Sequence, residues 1–323
     1  MPQRSLLKLR LKNTFWNCHH LHLDKGRTVT EDLLNKSQRH MQEKWKLMRD
    51  IKFSDQYSYH NLNLRMYAII KNLLDQNCCN MRTFIDVDSI VGLTPMKVAS
   101  QQREYWKKHG VNLQIGTQPL EGLETSENIE LFETACEMSN FVGCLPSRDT
   151  SPEKHLDIAF STAKRLELDI EAHLDQCNVP HERETELFCD FVEKYNYQGK
   201  ARAIHCVSLS CQPLDYQHEI AKRMFKNNIG VIICPSAAIS MTQHSEYTAP
   251  IHNSLGPVNV FLENNVNIGL GVDNIQDIFM PFCDGDFEFE MRLLSEAARI
   301  YDPDVLLKIA GNDMGFHNPM FDV

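Results

Sequence analysis

The chain contains no apolar run approaching the about eighteen residues that cross a bilayer, which argues against membrane insertion. It has no excess of positive charge either: 33 Lys and Arg stand against 43 Asp and Glu, a formal net charge of −10. Such a chain exerts no general attraction on nucleic acid or on an anionic membrane surface, and neither is expected as a partner. Pro-, Gly- and Ser-rich linkers are missing, so residues 1–323 read as one continuous domain. The basic and apolar start, Met1–Lys12, lacks the unbroken apolar stretch and small-residue cleavage site of a signal peptide. CxxC spacing is absent, and Cys78 and Cys79 are merely adjacent. The cysteine count, 11, is odd, and Cys144, Cys206 and Cys234 sit inside apolar runs. That pattern suits buried, reduced thiols and a cytoplasmic location better than a disulfide framework.

What is present is alternation. Short apolar runs of strand type are expected at Thr14–Leu23, Arg82–Val87, Asn112–Thr117, Phe141–Leu145, Leu168–His173, Ala201–Val207, Gly230–Cys234 and Val266–Gly271. Between them the helical period recurs at 31–49, 59–76, 97–109, 126–138, 182–196, 215–227, 257–264 and 287–300. A further helix opens at Ser151-Pro152-Glu153, a cap, a first-turn proline and an early acid. Strands such as GVIIC, apolar throughout, are those of a parallel sheet buried on both faces. Eight strand–helix units predict the α/β class and a (β/α)₈ TIM-type barrel, although an open doubly wound sheet shows the same alternation.

The histidines and acids fall where such a barrel keeps its chemistry, at strand C-termini. His20 and His22 close the first strand in HLHLDK and share a face, because alternate strand residues point the same way. His173 ends the fifth, His205 the sixth and Asp273 the eighth. His20, His22, His173 and Asp273 are therefore the expected ligands of one divalent metal, zinc or iron, with a position open for water. Asp273 is expected to take the proton of that water, and His205 to polarise the substrate. His19 points to the opposite face and reads as structural. His60, His155, His181, His218, His244, His252 and His317 read as surface residues.

Other features carry less. Asp86 and Asp88 end the second strand and either line the pocket or play a plain strand-end role. Ser236 and Ser240 lack a histidine and acid placed for a triad and read as loop residues. GLGVD lacks the GxGxxG spacing of a dinucleotide site. Asp284-Gly285-Asp286 reads as a turn and helix cap, and Trp16, Trp45 and Trp106 form no stacking pattern.

HLHLDK, EAHLDQ, AIHC and GVDNIQDIFMPFCDGD resemble segments of the amidohydrolase superfamily, most of all its cytosine deaminase and N-isopropylammelide isopropylaminohydrolase branch. The resemblance runs from about residue 14 to residue 300. It implies a deformed (β/α)₈ barrel holding one metal on His20, His22, His173 and Asp273, with His205 facing the substrate. Lys25 matches a lysine of the aminohydrolase relatives and is expected to be catalytic. Asn274 and Asp277 are implied on the substrate side.

Three departures stand out. The proton-shuttling glutamate is replaced by Gln176, for which Asp175 or Lys25 would have to substitute. The ring-binding glutamine aligns with Leu120, Gln118 lying close, so cytosine is not the expected substrate. The family's accessory β-sandwich is expected to be reduced or absent: either the sandwich is reduced or this is a truncated gene product. That leaves barrel surface for a second subunit to cover, and a homo-oligomer is one expectation. The leading functional expectation is a deaminase or aminohydrolase acting on a heterocyclic or amidine-like small molecule. A lactonase or cyclic-amide hydrolase using the same metal, and a catalytically silent barrel kept for binding, are the alternatives.

Overall fold

A computed structural model describes residues 15–240 and 255–316. His244, His252 and His317, like Met1–Lys12 and Thr14, lie outside the described residues. Eight parallel strands run in chain order: β1 (Trp16–Leu21), β2 (Cys78–Asp86), β3 (Asn112–Gln118), β4 (Phe141–Cys144), β5 (Asp169–Leu174), β6 (Ala201–His205), β7 (Gly230–Ile233) and β8 (Ile268–Leu270). The end of β8 returns to β1. Val272 N and Asp273 N donate to His20 O at 3.1 and 3.0 Å, and His22 N donates to Asp273 O at 3.2 Å. The ring is thus joined at the level of the expected site, and the barrel, not the open sheet, is the fold.

The helices lie outside the ring: α1 (Glu31–Lys36), α2 (Met41–Phe53), α3 (Tyr59–Leu74), α4 (Thr94–Lys107), α5 (Ser126–Glu137), α6 (Pro152–Leu166), α7 (Glu184–Tyr195), α8 (Leu214–Lys226), α9 (Pro235–Ile239), α10 (Val258–Glu263), α11 (Phe287–Ala298) and α12 (Pro303–Ala310). α6 shows why they form where they do. Ser151 Oγ accepts from Lys154 N at 3.3 Å, Pro152 opens the first turn, and His155, Leu156, Ala159, Phe160 and Ala163 bury one stripe. Among the described residues no helix is long and apolar enough to cross a membrane.

Several expectations need correction. The helix expected over 31–49 breaks between α1 and α2, where Ser37 Oγ bonds the Leu33 carbonyl and closes the first piece. Ser236 is not a loop residue but sits in α9, with Ser240 as its C-cap, because Glu290 binds the Ser236 N–H and hydroxyl. His155 is not on the surface: it is wholly buried, with Nδ1 on Asp149 at 2.8 Å and Nε2 accepting from Leu145 N at 3.1 Å. The cap reading of Asp286 holds, its side chain accepting from Phe289 N. The described cysteines form no disulfide, and seven of them are buried.

Inside the ring the side chains stack in layers. Arg82 and Arg202 flank Glu171 at the bottom, with Arg82 Nη2 2.7 Å and Arg202 Nη1 3.2 Å from Glu171 Oε1. Residues 312–316 close this end: His19 Nε2 donates to Asn312 O at 2.8 Å and Arg82 Nη1 to Gly315 O at 2.7 Å. His19 is thus not on the opposite face as expected: a register shift in β1 between Cys18 and Leu21 turns both His19 and His20 into the ring, His19 in the lower layer with a structural hydrogen bond. Above lies a small apolar cluster of Phe84, Phe141, Ile204 and Ile232. Gly143 makes room for it, since a Cβ there would stand 2.5 Å from the Phe84 ring and 2.0 Å from Thr117 O. Phe84 in turn supports the imidazoles of the top layer, its ring centre 4.7 Å from His20 and 4.8 Å from His173.

Candidate metal centre

The top layer is built by strand ends. β1 presents His20 and His22, β5 His173, β6 His205, and the turn after β8 Asp273. The register shift in β1 between Cys18 and Leu21 brings His20 inward above His19, and His173 follows the two-residue alternation of its strand. His205 does not: Ile204 already faces inward, so alternation would send His205 outward. Its left-handed backbone, φ 73°, turns the ring back into the barrel, and Asp273 is likewise left-handed at φ 60°. Such conformations are costly for non-glycine residues and gather at functional sites.

The groups converge tightly. His20 Nε2 and His22 Nε2 lie 3.3 and 3.2 Å from Asp273 Oδ1, and His205 Nε2 lies 3.6 Å from Asp273 Oδ2. Ligand atoms of His20, His173 and His205 lie within 4.8 Å of one another, as do those of His20, Cys234 and Asp273. Burial holds His20, His22 and His173 below the ordinary imidazole range and takes His205 down to about 4. Burial alone would raise Asp273, but the surrounding imidazoles outweigh it and hold the carboxyl well below its usual value. Neutral imidazoles around one carboxylate are the donor set a divalent ion requires.

Whether a metal fits can be tested on the nitrogens. Neither ring nitrogen of His20 has a hydrogen-bond partner, nor does His173 Nε2, although all three atoms are buried. Orphaned buried polar atoms are rare and costly, and a bound ion would satisfy them. The residues therefore fit. Cys234 is the least suited of the cluster, because burial pushes its thiol well above its ordinary range and away from the thiolate a metal needs.

The pocket above these groups encloses about 840 Å³, counting its solvent-open mouth, within the range that holds a small ligand. His22, Lys25, Gln118, Leu120, His173, Gln176, His205, Asp273 and Asn274 border it. Gln118 Oε1 and Gln176 Nε2 are buried and unpartnered. Two residues expected on the substrate side are elsewhere. Asp86 lies behind Lys25, clamped by Lys25 Nζ at 2.5 Å and Lys52 Nζ at 2.9 Å. Asp277 accepts from Asn274 Nδ2 at 2.5 Å and from the N–H groups of Phe279 and Met280, and so holds its own loop. Asp88 also pairs with Lys52, at 2.5 Å. Asp175 does not substitute for a shuttle at Gln176: it caps the start of α7 through Glu184 N and Thr185 N.

Sequence reasoning missed the far wall. Met41, Lys44 and Trp45 of α2, with Arg39, Phe279 and Met280, line the pocket. Trp45, read as patternless, carries the Arg148 guanidinium over its ring at 4.4 Å. The available signal was the spacing of Met41, Lys44 and Trp45, which puts them on one helical face soon after HLHLDK.

Glu290 lies beneath the site. Burial raises its carboxyl to about 7 from 4.5, so the folded chain holds a proton that the unfolded chain releases, and stability falls as pH rises through that window. Glu290→Gln keeps an acceptor for Ser236 and removes the ionisation. It is expected to add up to about 3 kcal/mol near neutral pH, seen as a urea midpoint that falls less steeply between about pH 5 and 7, where Asp175 and Asp277, raised to about 7 and about 6 by burial, still contribute.

This fold and site define a class, the (β/α)₈ barrels whose polar groups gather at the C-terminal ends of the strands. No family model matches the sequence. An uncharacterised protein of Haemophilus influenzae is 29% identical over 252 residues, covering 76% of this chain and 90% of that protein. The N-isopropylammelide isopropyl amidohydrolase of a Pseudomonas species is 22% identical over 280 residues, 83% of this chain, which spans only 64% of that relative's length. Among solved structures, 5-methylcytosine deaminase from Klebsiella pneumoniae superposes with a TM-score of 0.84 at 20% identity, over 91% of this chain and 72% of that one. N-isopropylammelide isopropylaminohydrolase from Burkholderia multivorans gives 0.72 at 20%, over 92% and 73%. Zinc-complexed atrazine chlorohydrolase from Arthrobacter aurescens gives 0.64 at 12%, over 94% and 71%.

Proposed function

We propose that the chain is a metal-dependent hydrolase of non-peptide C–N bonds, releasing ammonia or an amine from a small heterocyclic or amidine-like molecule. The observation that carries this is the convergence of neutral imidazoles with orphaned nitrogens on one buried carboxylate at the strand ends. The relatives support it, since those with a stated activity are deaminases or hydrolases of nitrogen heterocycles. His20, His22, His173 and Asp273 would hold one divalent ion, zinc or iron. When bound, that ion supplies Lewis acidity and brings the pKa of water toward neutrality.

The chain's own groups divide the remaining work. Among the described residues Asp273 is the one carboxylate bordering the pocket, so it is the group that takes a proton from water and passes it to the leaving nitrogen. His205, neutral and 3.6 Å from Asp273 Oδ2, presents its ring to the reacting carbon's substituent. Lys25, held by Asp86, places its ammonium 3.4 Å from His22 Nδ1 at the pocket wall. Gln176 offers amide hydrogen bonds to a ring edge but relays no proton.

That amide favours a second reading, hydrolysis of a lactone or cyclic amide, which needs the same site without a shuttle at this position. The test is product identity. Metal-loaded protein is incubated with amino- and alkylamino-substituted pyrimidines and triazines, and with cyclic amides and lactones. Ammonia or amine release is the expected result. A new carboxylic acid would move the conclusion to the second reading, and no product from either set would leave a silent barrel.

A further inference from the structure

Among the described residues three lysines are buried: Lys25, Lys44 and Lys52. Lys25 and Lys52 each have a carboxylate oxygen 2.5 Å away. Lys44 has no such partner. Its ammonium donates to the Phe279 carbonyl at 3.2 Å, and the acid that acts on it, Asp277, is already taken up by Asn274 and two backbone N–H groups. An ammonium has three donors, and a buried charge without a counter-ion is costly and seldom kept without reason.

Lys44 is only 7% exposed, and it borders the same pocket as His22, His173, His205 and Asp273. Lys25 and Arg39 border it too, and among the described residues its one carboxylate is Asp273, of the candidate metal centre. Lys25 is paired with Asp86 and Arg39 with Glu43, so among the described residues Lys44 is the lysine or arginine of this pocket that lacks a carboxylate partner.

We propose that Lys44 is a specificity-determining residue that binds an anionic group of the substrate, a carboxylate or an ionised ring oxygen, so that the site selects acidic small molecules. This rests on the reading of the pocket as a hydrolase active site and deepens it. A charge-assisted hydrogen bond formed out of bulk water is worth a preference of about ten- to a hundredfold.

The test compares uracil with orotate, the same ring carrying one carboxylate, by titration calorimetry on the full chain as purified. Orotate is expected to bind about ten- to a hundredfold tighter, with the preference shrinking as salt rises. Lys44→Met is expected to remove the preference and Lys44→Arg to keep it. Lys44→Gln serves if circular dichroism shows the methionine variant unfolded. Equal affinities, no binding of either ring, or a preference that survives loss of the lysine would overturn the proposal. Metal content is measured on the same samples. A Lys44-dependent preference in protein that takes up no metal would defeat the hydrolase reading and leave this one standing.

Discussion

His173→Ala and Asp273→Ala are each expected to release the metal and, with it, roughly a thousandfold or more of the turnover, several kcal/mol of transition-state stabilisation. Each removes a donor of the assigned set: His173 Nε2 is buried without a hydrogen-bond partner, and Asp273 is the carboxylate on which the imidazoles converge. His205→Ala separates binding from chemistry. Ligand atoms of His20, His173 and His205 lie within 4.8 Å of one another, yet His22 lies nearer than His205 to Asp273, at 3.2 Å against 3.6 Å. If His22 is the ligand and His205 the group facing the substrate, His205→Ala keeps the metal and loses turnover, whereas His22→Ala loses both. Elemental analysis beside a product assay decides between them, and stoichiometric metal in His173→Ala and Asp273→Ala would show the ligand assignment wrong.

The second large effect is on stability. Glu171→Ala is expected to destabilise the barrel by about 3–5 kcal/mol, read as a lower urea midpoint with an unchanged slope. Glu171 is wholly buried and is shared by Arg82 and Arg202. Arg82 has no other carboxylate among its described contacts and keeps Gln114, the Gly315 carbonyl and the face of the Phe141 ring at 4.3 Å, while Arg202 retains Asp169 at 2.8 Å. The loss thus falls mainly on Arg82, a guanidinium left in the barrel interior without its counter-charge. A shift below about 1 kcal/mol would mean that water reaches this end of the barrel and screens it.

Much of the fold was readable because parallel strands buried on both faces are written as solid apolar runs. All eight expected strands appear, with shifts at the ends such as β2 starting at Cys78 instead of Arg82. The histidines were found for the related reason that strand C-termini are where such a barrel keeps its site. Position along a strand does not say where a side chain points. Asp86 sits at a strand end, but Lys52, a buried cation from a helix more than thirty positions earlier in the chain, draws it away from substrate. His205 reaches the site only through a left-handed backbone, which periodicity cannot foresee. His155 looked like a helical surface residue, and only the packing of α6 onto the turn after β4 shows its two hydrogen bonds. The α2 wall was missed because a helix face reads as core or solvent until the opposite wall is known.

The most direct test of the central claim is the metal content of the full chain purified without chelators or a metal-affinity column. About one zinc or iron per chain, lost in His173→Ala and Asp273→Ala, is the predicted result. No metal before or after reconstitution would contradict it, leaving a barrel whose imidazoles meet without an ion to hold.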